Sequence, residues 1–110
     1  MNEGSIETVY VDAQTLRQRF NSLDYVGAVT RGELVAVIKT DRVLQSGTPF
    51  PVGTRAQIVY YMRGQTRMAV VHQYMLPDGS VGASGRPDPK MVRDGLPYSR
   101  RAGKQSVTSD

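Results

Sequence analysis

The chain has 110 residues, 39% hydrophobic and 22% charged, with a formal net charge of +4 at pH 7. This length predicts one domain, which we place at residues 1–100, and excludes two independent domains. Cysteine is absent, which excludes a disulfide framework and any site built on thiolate ligands. The N-terminal segment is acidic and polar, unlike a secretory leader, and no apolar run is long enough to span a membrane. We therefore expect a cytoplasmic protein with no membrane partner.

The first predicted element is an amphipathic helix that begins after the N-cap residue Asp12 and ends near Leu23. Leu16 and Phe20 lie between them at helical spacing, so these apolar side chains share one face. Arg17 lies off that face, where we expect it to be solvated.

Residues 25–44 are ambiguous because the apolar run from Leu34 to Ile38 fits either regular structure. Its β-branched residues favour a strand, while a helix over residues 33–44 stays open. Residues 46–54 contain two prolines and two glycines, which predicts a loop.

Two strand-like runs, residues 55–63 and 66–76, flank a Gly-Gln pair at 64–65 that suits a two-residue hairpin turn. The Pro-Asp-Gly sequence at 77–79 predicts a second turn and a third strand over residues 80–84. The expected fold is α+β, with the N-terminal amphipathic helix packed on a small antiparallel sheet that contains this three-stranded meander.

Beyond the meander, Asp88 followed by proline is typical of a helix start, and Gly95 of a helix end. These signals predict a short helical turn over residues 89–94. Residues 101–110 lack apolar periodicity and are expected to form a flexible tail.

The two turns also predict which side chains share a face of the sheet. If partners in the first hairpin follow directly from the turn, Ile58 and Tyr60 lie on the core face beside Ala69 and Val71. The opposite face then groups three side chains, His72, Arg55 and Tyr74, with Gln57 and Ser84 opposite the histidine. A slip of one residue would exchange the faces.

This grouping suggests metal-independent phosphoryl chemistry of a ribonuclease-like kind. His72 would act as general acid or base, Arg55 would stabilise charge on phosphorus, and Tyr74 would stack or donate a hydrogen bond. A nucleophile pair of Ser84 and His72 lacks a third residue to orient the imidazole. With one histidine and no cysteine, we expect no metal site and no cofactor.

Positive charge is concentrated in the second half of the chain. Residues 1–54 carry five Arg or Lys against six Asp or Glu, whereas residues 55–110 carry nine against four. Arginine outnumbers lysine eleven to three, and its planar fork suits phosphate or carboxylate groups. These features favour an anionic partner. An equally good interpretation is that the positive charge keeps the protein soluble and that the high arginine content reflects a GC-rich genome.

The segment HQYMLPDGSVGASGRPDPKMVRDG, residues 72–95, resembles a stretch of small bacterial and phage or mobile-element proteins of uncharacterised function. The shared elements are His-Gln-Tyr at 72–74, Pro-Asp-Gly at 77–79, Ala-Ser-Gly at 83–85 and Pro-Asp-Pro-Lys at 87–90. The resemblance covers about a fifth of the chain. It implies an accessory or phage-related role and no particular activity.

Our leading hypothesis is a small non-enzymatic binding module that contacts nucleic-acid backbone. The residues expected to bind are Arg86, Lys90, Arg93, Arg100 and Arg101, with Arg55 and Tyr74 at the margin. The alternatives are the ribonuclease-like enzyme and a protein-interaction or virion component that forms homo-oligomers. The latter would use an apolar surface of Val59, Tyr61, Met68 and Val70, unless residues 25–44 cover it.

Overall fold

The computed structural model describes residues 7–82 and 86–101. Within them the elements are β1 (Val9–Val11), α1 (Ala13–Ser22), α2 (Tyr25–Thr30), β2 (Val35–Val43), β3 (Arg55–Arg63), β4 (Thr66–Met75), β5 (Asp88–Asp94) and β6 (Leu96–Arg100). The α+β class is confirmed, and the sheet is larger than predicted.

The six strands form one mixed sheet in the order β1-β6-β5-β4-β3-β2. Strands β2 to β6 are antiparallel neighbours in chain order, so the meander has five strands where three were expected. β1 closes the other edge by pairing parallel to β6. The helices follow β1 directly, and α1 packs against β5 and β6.

Helix α1 forms as its sequence predicts. The Asp12 carboxylate accepts a hydrogen bond from the backbone N–H of Thr15 at 2.7 Å, which satisfies one of the free donors of the first turn. Leu16 and Phe20 are buried in the core. The Phe20 ring packs edge-on against Tyr25 of α2 and tilted against Tyr61 of β3, so both helices cover the same face of the sheet.

The β3/β4 hairpin contains a β-bulge that the sequence analysis did not foresee. Its turn is as predicted, with Gly64 at φ +58° and Arg63 opposite Thr66. The pairing then shifts by one residue, because Met62 faces Arg67 while Tyr61 faces Ala69. The bulge therefore moves the rest of β3 out of the predicted register.

The shift exchanges the two faces of β3. Val59 and Tyr61, predicted to lie outside, are 2% and 5% exposed and belong to the core beneath the helices. Ile58 and Tyr60, predicted to be in the core, lie on the face away from the helices because side chains alternate along a strand. The predicted partner surface of Val59, Tyr61, Met68 and Val70 is thus wrong for Val59 and Tyr61, and Met68 also packs against the core.

Two predictions after β4 are corrected. The Pro-Asp-Gly turn forms, with Gly79 at φ +89°, but the expected third strand over residues 80–84 is reduced to a bridge between Met75 and Val81 within the described residues. The helical turn predicted over residues 89–94 is instead part of β5, which pairs with β4 and β6.

The segment between the helices and β3 resolves in favour of the strand alternative. Residues 35–43 form β2, so the helix predicted as the other possibility over 33–44 is wrong. The predicted loop follows, and it is closed by a hydrogen bond from the Leu44 N–H to the Thr54 carbonyl at 2.9 Å. In the described part of the chain, neither helix has the length and apolar character needed to cross a membrane. Most of the predicted tail, residues 102–110, lies outside the described residues.

Candidate anion-binding cleft

A cleft of about 670 Å³ opens where β4 and β5 separate. The two strands pair only as far as His72 and Asp88, while β4 continues to Met75. The chain at Gly82 and Arg86 forms part of the opposite wall. We call this feature the basic cleft, and its charged lining among the described residues is Arg17, Arg86, Lys90, Arg100 and Asp88.

The four cations come from four different parts of the fold. Arg17 extends from α1, Lys90 from β5 and Arg100 from the end of β6, whereas Arg86 precedes β5. Three of them converge on Asp88, with Lys90 Nζ at 3.0 Å, Arg100 Nη1 at 3.6 Å and Arg17 Nη1 at 3.9 Å from its oxygens. The described lining of the basic cleft thus contains four cationic side chains and one carboxylate, an excess of positive charge.

Arg86 is oriented by α1. Its Nε and Nη2 donate hydrogen bonds to the Asn21 Oδ1 at 3.2 and 3.0 Å. This contact orients the Arg86 guanidinium, which lines the basic cleft together with Lys90 and Arg100.

The rings of Tyr74 and His72 line the basic cleft beside the cations. Phe50, from the loop before β3, stacks on Tyr74 with ring centroids 4.5 Å apart and planes 27° apart. His72 meets the Tyr74 ring edge-on at 4.8 Å. Phe50 also packs over Gly82, where an added Cβ would lie 3.1 Å from Cε1 of Phe50. Glycine at this position therefore permits the close approach of the loop.

The position of Tyr74 opposite Gly82 was predicted and is confirmed by a 2.8 Å hydrogen bond from the Gly82 N–H to the Tyr74 carbonyl. The partner predicted for His72 on β3, Gln57, is wrong, because the bulge places Ile58 opposite His72. On β5, Asp88 lies opposite His72. Ser84, predicted to face His72, lies outside the described residues.

His72 is only partly exposed, and burial lowers its pKa. Lys90 and Arg42 lower the pKa of His72 further, while Asp88 opposes the shift. At neutral pH the imidazole is therefore uncharged. The positive charge of the basic cleft comes from arginine and lysine and not from the histidine.

Arg55 does not join this group, contrary to prediction. It donates from Nε to Asp41 Oδ1 at 2.8 Å, and Asp41 also accepts from Gln57 Nε2 at 3.4 Å. This ion pair lowers the pKa of Asp41, mainly through the hydrogen bond from Arg55. Since Arg55 pairs with Met75, its side chain lies on the opposite face of the sheet from Tyr74. The predicted cluster of His72, Arg55 and Tyr74 is broken by the bulge.

The other predicted binding residues divide into two groups. Arg86, Lys90, Arg100 and Tyr74 come together in the basic cleft, while two arginines bind backbone elsewhere. Arg93 donates to the Arg67 carbonyl at 3.1 Å, and Arg101 donates to the Tyr10 carbonyl at 3.3 Å.

Arg17 was not among the residues predicted to bind a ligand. Its position off the apolar face of α1 indicated only that it is exposed. The packing of α1 on β5 and β6, which carries Arg17 to the basic cleft, is a long-range contact. No local sequence pattern predicts this contact.

Comparison with known proteins finds no matching family, no similar curated protein and no similar solved structure.

Proposed function

We propose that the protein is a non-enzymatic binding module that holds nucleic-acid backbone in the basic cleft. The observation that carries this proposal is that four cationic side chains from separate elements line the basic cleft, and that three of them pair with Asp88, the single carboxylate of its described lining. Such a cluster leaves positive charge that phosphate groups can neutralise.

The chemistry of the lining favours phosphate as the bound group. Three of the four cations are arginines, whose planar guanidinium donates two parallel hydrogen bonds to phosphate oxygens. The contacts of Arg17, Lys90 and Arg100 with Asp88 are exposed ion pairs, which are weak and readily exchanged for a ligand. A phosphate can therefore replace Asp88 as the partner of these cations.

The test is binding of a fluorescent oligonucleotide, measured by anisotropy at about 50 and 200 mM salt. Four phosphate contacts with a single strand predict an affinity loss of about 50-fold over this range. Arg100→Ala should lower the slope of log affinity against log salt by about 0.7. Arg63→Ala is the matched control, because Arg63 also ends a strand and is exposed but lies outside the basic cleft. No binding at the lower salt overturns the proposal.

A second candidate function is association between copies through β2. This strand is at an edge of the sheet, and all nine of its residues are exposed, including Val35, Val37 and Ile38. Long apolar edge strands template pairing with another strand. Light scattering at rising concentration should show a larger species that Ile38→Lys abolishes, whereas a strict monomer argues against this candidate.

The bacterial or phage accessory role implied by residues 72–95 stays a prediction, as does a cytoplasmic location. The ribonuclease-like alternative has lost the guanidinium on which it depended, because Arg55 lies on the other face of the sheet from Tyr74.

A further inference from the structure

We infer that the basic cleft takes single-stranded nucleic acid, with one base stacked on Tyr74 and the flanking phosphates on the cations. This inference rests on the proposed function and adds the class of ligand. It depends on the rings of Tyr74 and His72 lining the same cleft as Arg17, Lys90 and Arg100.

The Tyr74 ring is held in place before any ligand binds. Phe50 stacks on one of its faces at 4.5 Å, and His72 supports it edge-on at 4.8 Å. Phe50 in turn packs over Gly82. Because little side-chain freedom is left to lose, a base that stacks on Tyr74 incurs only a small entropic cost.

The juxtaposition of rings and cations matches the two parts of a nucleotide. Bases stack on aromatic side chains, and the charged backbone follows a positive groove, in proteins that bind single strands. The basic cleft supplies both, since Tyr74 lies on β4 and Lys90 on the neighbouring strand β5. The rings occur among the cations rather than on a separate surface.

The size of the basic cleft favours an unpaired base over a duplex. Its volume of about 670 Å³ falls within the range of about 300–1,000 Å³ that is typical of small-molecule pockets. A base in a duplex is stacked on its neighbours and does not offer a free face, whereas an unpaired base does. Every base has such a face, so we expect little sequence preference.

The first experiment compares a single-stranded 12-mer with a duplex of the same sequence, for the full-length protein at about 50 mM salt. The single strand should bind at least about five-fold more tightly, given the usual contribution of one stacked base. A mononucleotide and inorganic tripolyphosphate are tested beside them. If a mononucleotide binds as tightly as the 12-mer, the claim that the ligand is a polymer is overturned. If tripolyphosphate binds as tightly as the 12-mer, the claim that a base contributes to binding is overturned.

Three substitutions separate stacking from structural support. Tyr74→Leu should weaken binding of the single strand about five-fold or more, while Tyr74→Phe, which retains the ring, should restore it. Tyr10→Leu is the control, because Tyr10 is an exposed tyrosine outside the basic cleft. Equal affinities of Tyr74→Leu and Tyr10→Leu would overturn the inference, as would loss of binding in Tyr74→Phe equal to that in Tyr74→Leu.

A direct readout of stacking does not depend on affinity. The sequence contains no tryptophan, so Tyr74→Trp introduces a single indole fluorophore at the predicted stacking position. Its emission should be quenched by the single strand and much less by the duplex. Unchanged emission at saturating single strand would overturn the inference.

The outcomes distinguish the inference from the proposed function. Equal, salt-sensitive binding of duplex and single strand leaves backbone binding in place and overturns single-strand preference. Absence of binding by either nucleic acid overturns both.

Discussion

Replacing Asp88 by asparagine should strengthen binding of anions in the basic cleft. Three cations lie 3.0 to 3.9 Å from the Asp88 oxygens, so a phosphate bound by them comes close to this carboxylate. At a separation of about 6 Å in water, Coulomb's law gives about 0.7 kcal/mol of repulsion, or about threefold in affinity. The gain in affinity from Asp88→Asn should decrease above about 0.15 M salt, because salt there screens charges over about 8 Å.

The cost of this substitution in folding stability should be small. The Asp88 side chain is 37% exposed, and exposed ion pairs contribute about 1 kcal/mol or less each. Anisotropy titrations with a single-stranded oligonucleotide at low salt, beside a urea unfolding curve, test both statements. Weaker binding by a well-folded Asp88→Asn variant would refute the reasoning, because it would mean that Asp88 positions the cations more than it competes with the ligand.

The same variant offers an internal check. Burial is the main reason that the pKa of His72 is lowered, and Asp88 opposes that shift. Asp88→Asn should therefore lower the pKa of His72 further, which NMR titration of this single histidine would show. An unchanged His72 pKa would contradict the proximity of the two groups.

Three other predictions concern stability. Phe20 is 1% exposed, so Phe20→Ala should lower the free energy of unfolding by about 3–5 kcal/mol. The control is Val52→Ala, at a site 91% exposed, which should change the free energy of unfolding by about 0.5 kcal/mol or less. Because the folded-state pKa of His72 is lowered from 6.5, its contribution to stability is full above about pH 6.5 and is lost as the pH falls below it. Unfolding free energies at about pH 7.5 and 5 should thus differ less in His72→Gln than in the wild type. Gly82→Ala should lower stability by about 1 kcal/mol, because its new Cβ displaces Phe50, and a thermal melt unchanged from the wild type would contradict that contact.

Local signals predicted α1 and both turns correctly because each depends on residues close in sequence. Asp12 caps its own helix through Thr15, and Gly64 and Gly79 supply the positive φ that their turns need. The faces of β3 were predicted wrongly because the bulge near Met68 has no glycine to mark it. One extra residue in β4, with no sequence signal for a bulge, was enough to exchange the two faces of β3.

The error at β5 has a different cause. Asp88 followed by proline satisfies the local rules for a helix start, but pairing with β4 on one side and β6 on the other determines the structure there. Pairing of β5 with β4 joins residues far apart in sequence, and no local pattern predicts it. Pairing of β5 with β6 is local, because Asp94 faces Leu96 across Gly95 at φ +76°. β6 was missed because Gly95 was interpreted as the end of a helix.

The candidate site was predicted in part. The excess of basic residues in the second half of the chain pointed to Arg86, Lys90 and Arg100, which the fold does bring together. The contributions of Arg17 and Phe50 depend on how α1 and the loop before β3 pack on the sheet. Charge counts along the sequence do not contain that information.

The parallel pairing of β1 with β6 has a consequence for biosynthesis. The strand that comes first in the described chain finds its hydrogen-bonding partner in the strand that comes last. During translation β1 therefore lacks its pairing partner until β6 has emerged from the ribosome. The basic cleft is also incomplete until then, because Arg100 lies at the end of β6. A nascent chain still short of β6 would present neither the finished sheet nor the complete set of cations.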